Sequence, residues 1–271
     1  MPDIVLVLPG ETTPVDPTES GFAHGFGLFE TMRYAEGRLY FWDDHWARLA
    51  NSAGRFALAL PEKEAVLAAL REFVRRSAAE TATLKLSLLK SGSDSRLYVY
   101  ARPPIAAPES RRLWLDTSCP IFPRSVLAGH KTHNYMEAMH LLGTVRAQGF
   151  YDLLRVDAAG FLAETTTANL FFVKDGRCHT PSLATGVLPG VTRAALLRAP
   201  GLAVEEGSYA PEVLRGAEAV FLTNTTGGVI PIGQITGLPG GRSADYAVDG
   251  PQLATPGTAF ARIRAECALE L

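Results

Sequence analysis

Cysteine is scarce. Cys119, Cys178 and Cys267 are far apart and odd in number, so they build no complete disulfide framework, and no CxxC pair suggests zinc. A reduced, cytoplasmic setting is the simpler expectation. An excess of one charge is also missing. With 26 Lys and Arg against 28 Asp and Glu, the formal net charge is −2, which gives no attraction to nucleic acid or to an anionic membrane. No apolar run approaches the ~20 residues a membrane helix needs. The N-terminus, MPDIVLVLPGETTP, lacks a basic n-region and a long h-region and reads as a first strand rather than a signal peptide. What remains is an ordinary globular balance, 47% hydrophobic and 20% charged over 271 residues. That length fits one large domain or two modest ones.

No internal repeat is found. Strand-like residues 29–34 and 38–41 flank the turn-like Ala35-Glu36-Gly37, which suits a hairpin. Apolar spacing predicts helices over residues 45–57 and 62–79. Residues 84–89 alternate as LKLSLL, and residues 96–101 read as the next strand. The proline-rich stretch 102–108 is the clearest linker. Beyond it, strands are expected at 113–116, 152–156 and 168–173. The last should turn back through Asp175-Gly176. Helices are expected at 135–148, ended by Gly149, and at 192–198. The expectation is an α+β chain with a smaller N-terminal domain, 1–107, and a larger C-terminal domain, 108–271, carrying Lys131.

Several segments could carry chemistry. Lys131 stands in AGHKTHNY ahead of a helical run; alone it reads as a solvated helix-start residue. Glu164 follows apolar Phe161-Leu162-Ala163, a costly place for a carboxylate without a partner, although a surface turn is the default. Leu188-Pro189-Gly190-Val191-Thr192-Arg193 sets a turn before a helix, where free amides can hold an anion or Thr192 can simply cap. A second glycine-bearing loop, Thr223 to Gly228, follows the strand-like AVFL. Gly21, Gly25 and Gly27 lack the strand–helix context of a dinucleotide fingerprint. His130, His133 and His140 have no metal-ligand spacing and read as local polar residues, so no metal is expected.

Together these segments resemble the class IV aminotransferases, enzymes of the fold type IV, D-amino-acid aminotransferase-like architecture. Four blocks carry the resemblance, in the family's order: GFAHGFGLFETMRYAEG; HWARL; KTHNY with AETTTANLFF; and GVLPGVTR with TNTTGGVIPI. The resemblance implies a pyridoxal 5′-phosphate cofactor carried by Lys131 as a Schiff base. Lys131 would then move the substrate Cα proton. It further implies that Glu164 faces the pyridine nitrogen and that Arg48 grips the phosphate by a bidentate contact. The amides of Val191 and Thr192, with Thr225, complete the phosphate cup, and Tyr135 and Arg124 are placed near the phenolic oxygen or Glu164. A homodimer acting on a small-molecule amino substrate is implied too.

The family holds 4-amino-4-deoxychorismate lyases beside D-amino-acid and branched-chain aminotransferases. Compact length, the TNTTGGVIPI loop and Arg96-Leu97-Tyr98 lean towards the lyase, which releases pyruvate and 4-aminobenzoate. Tyr135, where several lyases carry arginine, and Lys90 lean away. The alternative is a transaminase for D-amino acids, branched-chain L-amino acids or (R)-amines; a non-catalytic cofactor-binding homologue is the remote one. Thr31 is the expected proton shuttle. Arg96, with the amides near Thr226 and Gly227, is the expected binder of substrate carboxylate.

Overall fold

A computed structural model of the chain describes residues 2–102 and 109–271. The expected linker therefore lies, apart from Arg102, outside the described residues. The chain divides into two compact units. One comprises Met1–Ile105, His130–Asn134 and Arg264–Leu271; the other comprises Ala106–Gly129 and Tyr135–Ile263.

The first unit runs β1 (Asp3–Val7), α1 (Ser20–Ala23), β2 (Gly27–Ala35), β3 (Arg38–Tyr40), α2 (Trp42–Arg55), α3 (Lys63–Ser77), β4 (Thr81–Ser91) and β5 (Asp94–Arg102). Its sheet has the order β1-β5-β4-β2-β3, finished by the C-terminal strand Ala268–Glu270 against β3. The β2–β3 turn is as expected, with Glu36 at φ 55° and Gly37 at φ 73°, the positive-φ pair that a two-residue hairpin demands. Helix α2 starts three residues earlier than expected. Phe41 before it is left-handed (φ 59°) and offers no side-chain cap, so no capping residue marks the start in the sequence.

Alternation along the strands sorts the sheet into two unlike faces. Leu28 and Met32, Leu84, Leu86 and Leu88, and Leu97 and Val99 bury against Leu49 of α2 and Val66, Leu70 and Phe73 of α3. Each such side chain contributes about 2 kcal/mol. The opposite face carries Phe29, Ser87 and Tyr98 in one cross-strand row and Thr31, Lys85 and Tyr100 in the next.

Residues His130–Asn134 join this sheet. The Phe29 amide donates to the Lys131 carbonyl (2.9 Å), the His133 amide donates to the Gly27 carbonyl (2.9 Å), and Leu28 bridges Thr132. Lys131 thus belongs to the first unit rather than to a contiguous C-terminal domain. The two backbone hydrogen bonds that form this bridge to β2 outweigh its position in the chain.

The second unit runs β6 (Arg112–Ile121), α4 (Met136–Ala147), β7 (Asp152–Asp157), β8 (Leu162–Thr165), β9 (Asn169–Lys174), β10 (Arg177–Pro181), α5 (Val191–Leu197), β11 (Val204–Gly207), β12 (Ala219–Asn224), β13 (Gly228–Ile232), β14 (Gln234–Leu238), β15 (Arg242–Asp245) and α6 (Ala254–Glu266). The sheet order is β11-β10-β9-β8-β7-β6-β14-β15, with β12 pairing β9 and β13. Asp175 (φ 50°) and Gly176 (φ 69°) make the expected β9–β10 turn. The core stacks Leu113, Leu154, Leu170, Phe172, Val220, Leu222 and Ile232. Helices and mixed sheets together make the expected α+β class.

Candidate active site

In the first unit, Lys131 reaches over β2. Its Nζ lies 4.5 Å from the Phe29 ring centroid. Lys85, which the sequence reading passed over, lies 3.8 Å from the same centroid and donates to Thr31 Oγ1 at 2.7 Å. Lys85 is 5% exposed. Burial, reinforced by the charges of Lys131 and Arg102, pushes its ammonium down to about 7. Its signal was in the LKLSLL alternation, where the polar positions mark a face that is buried rather than solvated. Thr31, expected as a proton shuttle, is thereby tied to a buried amine.

Arg48 is tied to a buried carboxylate. Its Nε donates to Glu30 Oε1 (2.8 Å) and its Nη2 to Glu30 Oε2 (2.6 Å). The bidentate contact is therefore made with Glu30. Glu30 is 1% exposed. Burial alone would raise its carboxyl, but Arg48 and His45 together hold it far below the usual carboxylate range. His45 Nδ1 lies 2.7 Å from Glu30 Oε2, and burial pushes the imidazole below its ordinary value against the opposing pull of Glu30. The i, i+3 spacing of His45 and Arg48 on α2 aims both at one carboxylate on β2.

The histidines beside Lys131 are more than local polar residues. His130 Nδ1 lies 2.9 Å from Ser52 Oγ, and its ring meets Phe56 edge-on at 4.9 Å. His133 packs against Phe29 at 5.3 Å. Burial and the Lys85 charge push its imidazole down to about 4. A Cβ on Gly27 would sit 2.7 Å from the Leu88 carbonyl and 3.0 Å from the His133 ring, so glycine is what lets the 130–134 segment lie close. Arg96 shares the Tyr98 face, with Nη1 3.5 Å from the Tyr98 hydroxyl. Lys90 donates to Ser93 within its own hairpin turn.

In the second unit, Glu164 is fixed on both oxygens. Oε1 accepts from the Leu188 amide (3.1 Å) and Oε2 from Asn169 Nδ2 (2.8 Å), while that amide also donates to the Leu188 carbonyl (2.9 Å). The turn before α5 is thus latched to β8 and β9. Gly190 is required there, because a Cβ would collide with Asn169 Oδ1. Val191 and Thr192 open α5, and Thr192 Oγ1 is buried with no hydrogen-bond partner. Thr225 and Thr226 lie in the β12–β13 turn, but the Gly227 amide donates to Asn224 Oδ1 at 2.8 Å. That amide is not open to a substrate carboxylate, contrary to the sequence expectation; Asn224 folds the turn on itself. Tyr135 stands at the N-cap of α4, and Arg124 is exposed on the turn after β6.

The amino-transferase class IV family profile matches residues 27–235, and the chain belongs to that family. It is accordingly a pyridoxal-phosphate-dependent enzyme. Among curated proteins it is 27% identical to the aminodeoxychorismate lyase of Bacillus subtilis, over 88% of this chain and 87% of that one. A candidate 4-amino-4-deoxychorismate lyase from Legionella pneumophila superposes with a TM-score of 0.86 at 24% identity, covering 97% of this chain and all of that one. The branched-chain aminotransferase of Thermoproteus uzoniensis superposes at 0.84 with 22% identity, covering 96% and 95%. The two structures establish the shared fold. No helix among the described residues is long and apolar enough to cross a membrane.

Proposed function

We propose that the enzyme is a 4-amino-4-deoxychorismate lyase, releasing pyruvate and 4-aminobenzoate. One observation carries the choice. Lys85, a buried cation beside Lys131, has a hydroxyl and a ring face around it and, among the described residues, no carboxylate as a hydrogen-bond partner. Such a charge is costly to bury unpaired, and a substrate bearing two carboxylates supplies the missing anion. Arg96, at the edge of the same sheet face, takes the other.

The residues fit pyridoxal phosphate. The Thr192 hydroxyl, without a hydrogen-bond partner among the described residues, and the first-turn amides of Val191 and Thr192 suit a phosphate oxygen, and the Arg48 guanidinium adds positive charge. Thr225 completes this set. Glu164, held as a fixed acceptor by Asn169 and Leu188, suits a protonated ring nitrogen. Tyr135, with Arg124, serves the ring's phenolic oxygen. Bound cofactor supplies the electron sink for the pair left when the substrate Cα–H bond breaks. Lys131 holds the cofactor covalently through Nζ and, once released, takes the Cα proton. Thr31, hydrogen-bonded to Lys85, hands a proton to the departing enol, which leaves as pyruvate while the ring becomes aromatic. The backbone hydrogen bonds from Phe29 to Lys131 and from His133 to Gly27 keep Lys131 in register.

The alternative is transamination, which Tyr135 favours because it stands where several lyases carry arginine. In that case Lys131 returns the proton to the cofactor rather than letting a leaving group depart. Two copies form the working unit. Phe122 (62% exposed), Val126 (64%) and Met136 (87%) of the second unit are the apolar surface that pairing covers, and sedimentation at micromolar concentration should show a dimer. The deciding experiment for function is incubation with 4-amino-4-deoxychorismate and no keto acid. Stoichiometric pyruvate and 4-aminobenzoate are expected. Absence of pyruvate, with rapid half-transamination of D-alanine, L-leucine or (R)-1-phenylethylamine, overturns the lyase reading.

A further inference from the structure

Thr31, Lys85 and Tyr100 stand opposite one another on β2, β4 and β5. Lys85 is buried and Thr31 half-buried. Their contact, Nζ to Oγ1 at 2.7 Å, is the one hydrogen bond that either side chain makes among the described residues. Tyr100 pairs with Ser87 instead, at 3.0 Å. An ammonium has three donors and no lone pair, so towards Lys85 the Thr31 oxygen can only accept. The threonine's own proton then points away from Lys85. A neutral amine has a lone pair, and a hydroxyl is the better donor of the two. The same contact then reverses, and the Thr31 proton turns onto Nζ. One contact thus gives the hydroxyl two opposite directions, according to the charge on the amine.

The groups around Lys85 bring both states within reach. Burial, then the charges of Lys131 and Arg102, oppose the ammonium, and Glu30 favours it; the amine is pushed down to about 7. His133, pushed down to about 4, is uncharged at neutral pH and adds no further repulsion. Phe29 offers Lys85 a ring face but no oxygen.

We propose that Lys85 is a positioning residue that acts through Thr31: charged, it turns the Thr31 proton outward to the substrate, and uncharged, it takes that proton into its own hydrogen bond. The inference rests on the lyase reading, in which Thr31 gives a proton to the departing enol. A carboxylate bound beside Lys85 favours the ammonium. The substrate's own charge therefore sets Thr31 in its donating direction. An amino compound without that carboxylate leaves the hydroxyl turned inward above neutral pH.

The test follows kcat of the holoenzyme at saturating 4-amino-4-deoxychorismate from about pH 6 to about pH 10, beside Lys85→Met and Thr31→Val. Native kcat should fall along an alkaline limb, about tenfold per pH unit once Lys85 is mostly neutral. Lys85→Met has a raised KM but no lone pair to take the proton, and its kcat should show no such limb. Thr31→Val, slower throughout, should show none either, although its Lys85 still titrates. A flat native profile, or a limb of the native midpoint in either variant, would overturn the proposal. A second readout needs neither cofactor nor turnover. The chain has five lysines, so the Cε resonance of Lys85 in isotope-labelled protein is assigned by comparison with Lys85→Met. In the cofactor-free protein the Thr31 Cβ resonance should titrate with the midpoint of Lys85, and in Lys85→Met it should not move. A Thr31 resonance that stays still while Lys85 titrates also overturns the proposal. Failure of the lyase reading is separable: no pyruvate appears at any pH, while the two resonances still move together.

Discussion

Replacing Lys85 with methionine should stabilise the protein, and by an amount that depends on pH. The native ammonium is pushed down to about 7 from an ordinary 10.5, so between those values the unfolded chain binds a proton that the folded chain does not. Stability must rise with pH across that window and be insensitive to this group below about pH 6. Between pH 6 and pH 9 the native protein should gain about 2.5 kcal/mol from Lys85, from roughly two pH units of proton mismatch at 1.36 kcal/mol each. Lys85→Met has no such proton to lose. Its advantage over the native protein should be greatest at pH 6 and shrink by about 2.5 kcal/mol at pH 9. Urea midpoints of both cofactor-free proteins at half-unit pH steps measure this directly. Every other titrating group cancels in the difference except those coupled to Lys85, chiefly Lys131. Parallel pH profiles for the two proteins would refute the argument, because they would mean that the folded state leaves the Lys85 ammonium hydrated or paired. At the same time Lys85→Met should lose lyase turnover through a raised KM.

Other expectations concern the groups that hold the site together. Glu30→Ala leaves the Arg48 guanidinium buried without its carboxylate and should cost about 3–5 kcal/mol, with weaker cofactor retention on dialysis; Glu30→Gln should recover part of both. Asn169→Ala removes the amide that joins Glu164 to the Leu188 carbonyl. It should cost about 1–3 kcal/mol and move the visible cofactor band, which a purely structural loss would not. Gly27→Ala forces the Leu88 carbonyl and the His133 ring apart and should cost about 1–3 kcal/mol. Gly54→Ala, at a helix position open to space, should instead stabilise by about 0.5–1 kcal/mol. The pair of melting curves checks both. Lys131→Ala should abolish the visible band.

The parts of this fold that were legible in the sequence are those decided locally. Asp175-Gly176 and Glu36-Gly37 announce their hairpins because positive φ is costly for most residues, and the spacing of Val66, Leu70 and Phe73 announces α3 because a helix must bury one stripe. What was not legible depends on distant backbone partners. Nothing in KTHNY states that its amides and carbonyls will bond to Gly27 and Phe29, the contacts by which Lys131 groups with the first unit. The Glu30 partner of Arg48 sits on another element and reads in FETMR as an ordinary alternating polar residue. Lys85 was hidden for the opposite reason. Alternation in LKLSLL identifies a two-faced strand but does not say that the polar face is closed to water. Asn224 illustrates a smaller case, since its side chain consumes an amide that the loop sequence had offered to a ligand.

The C-terminal strand and the His130–Asn134 segment have a consequence for biosynthesis. The first unit cannot be completed in the order in which it is made. When β5 leaves the ribosome, β3 still presents an unpaired edge and the row of groups on β2 that will meet Lys131 is bare. The edge waits for residues 268–270, so the second unit must be synthesised before this sheet is sealed. An unpaired strand edge is a template for association with other chains. The nascent enzyme should therefore depend most on chaperones, or on slow translation, during the interval in which its second unit is being produced.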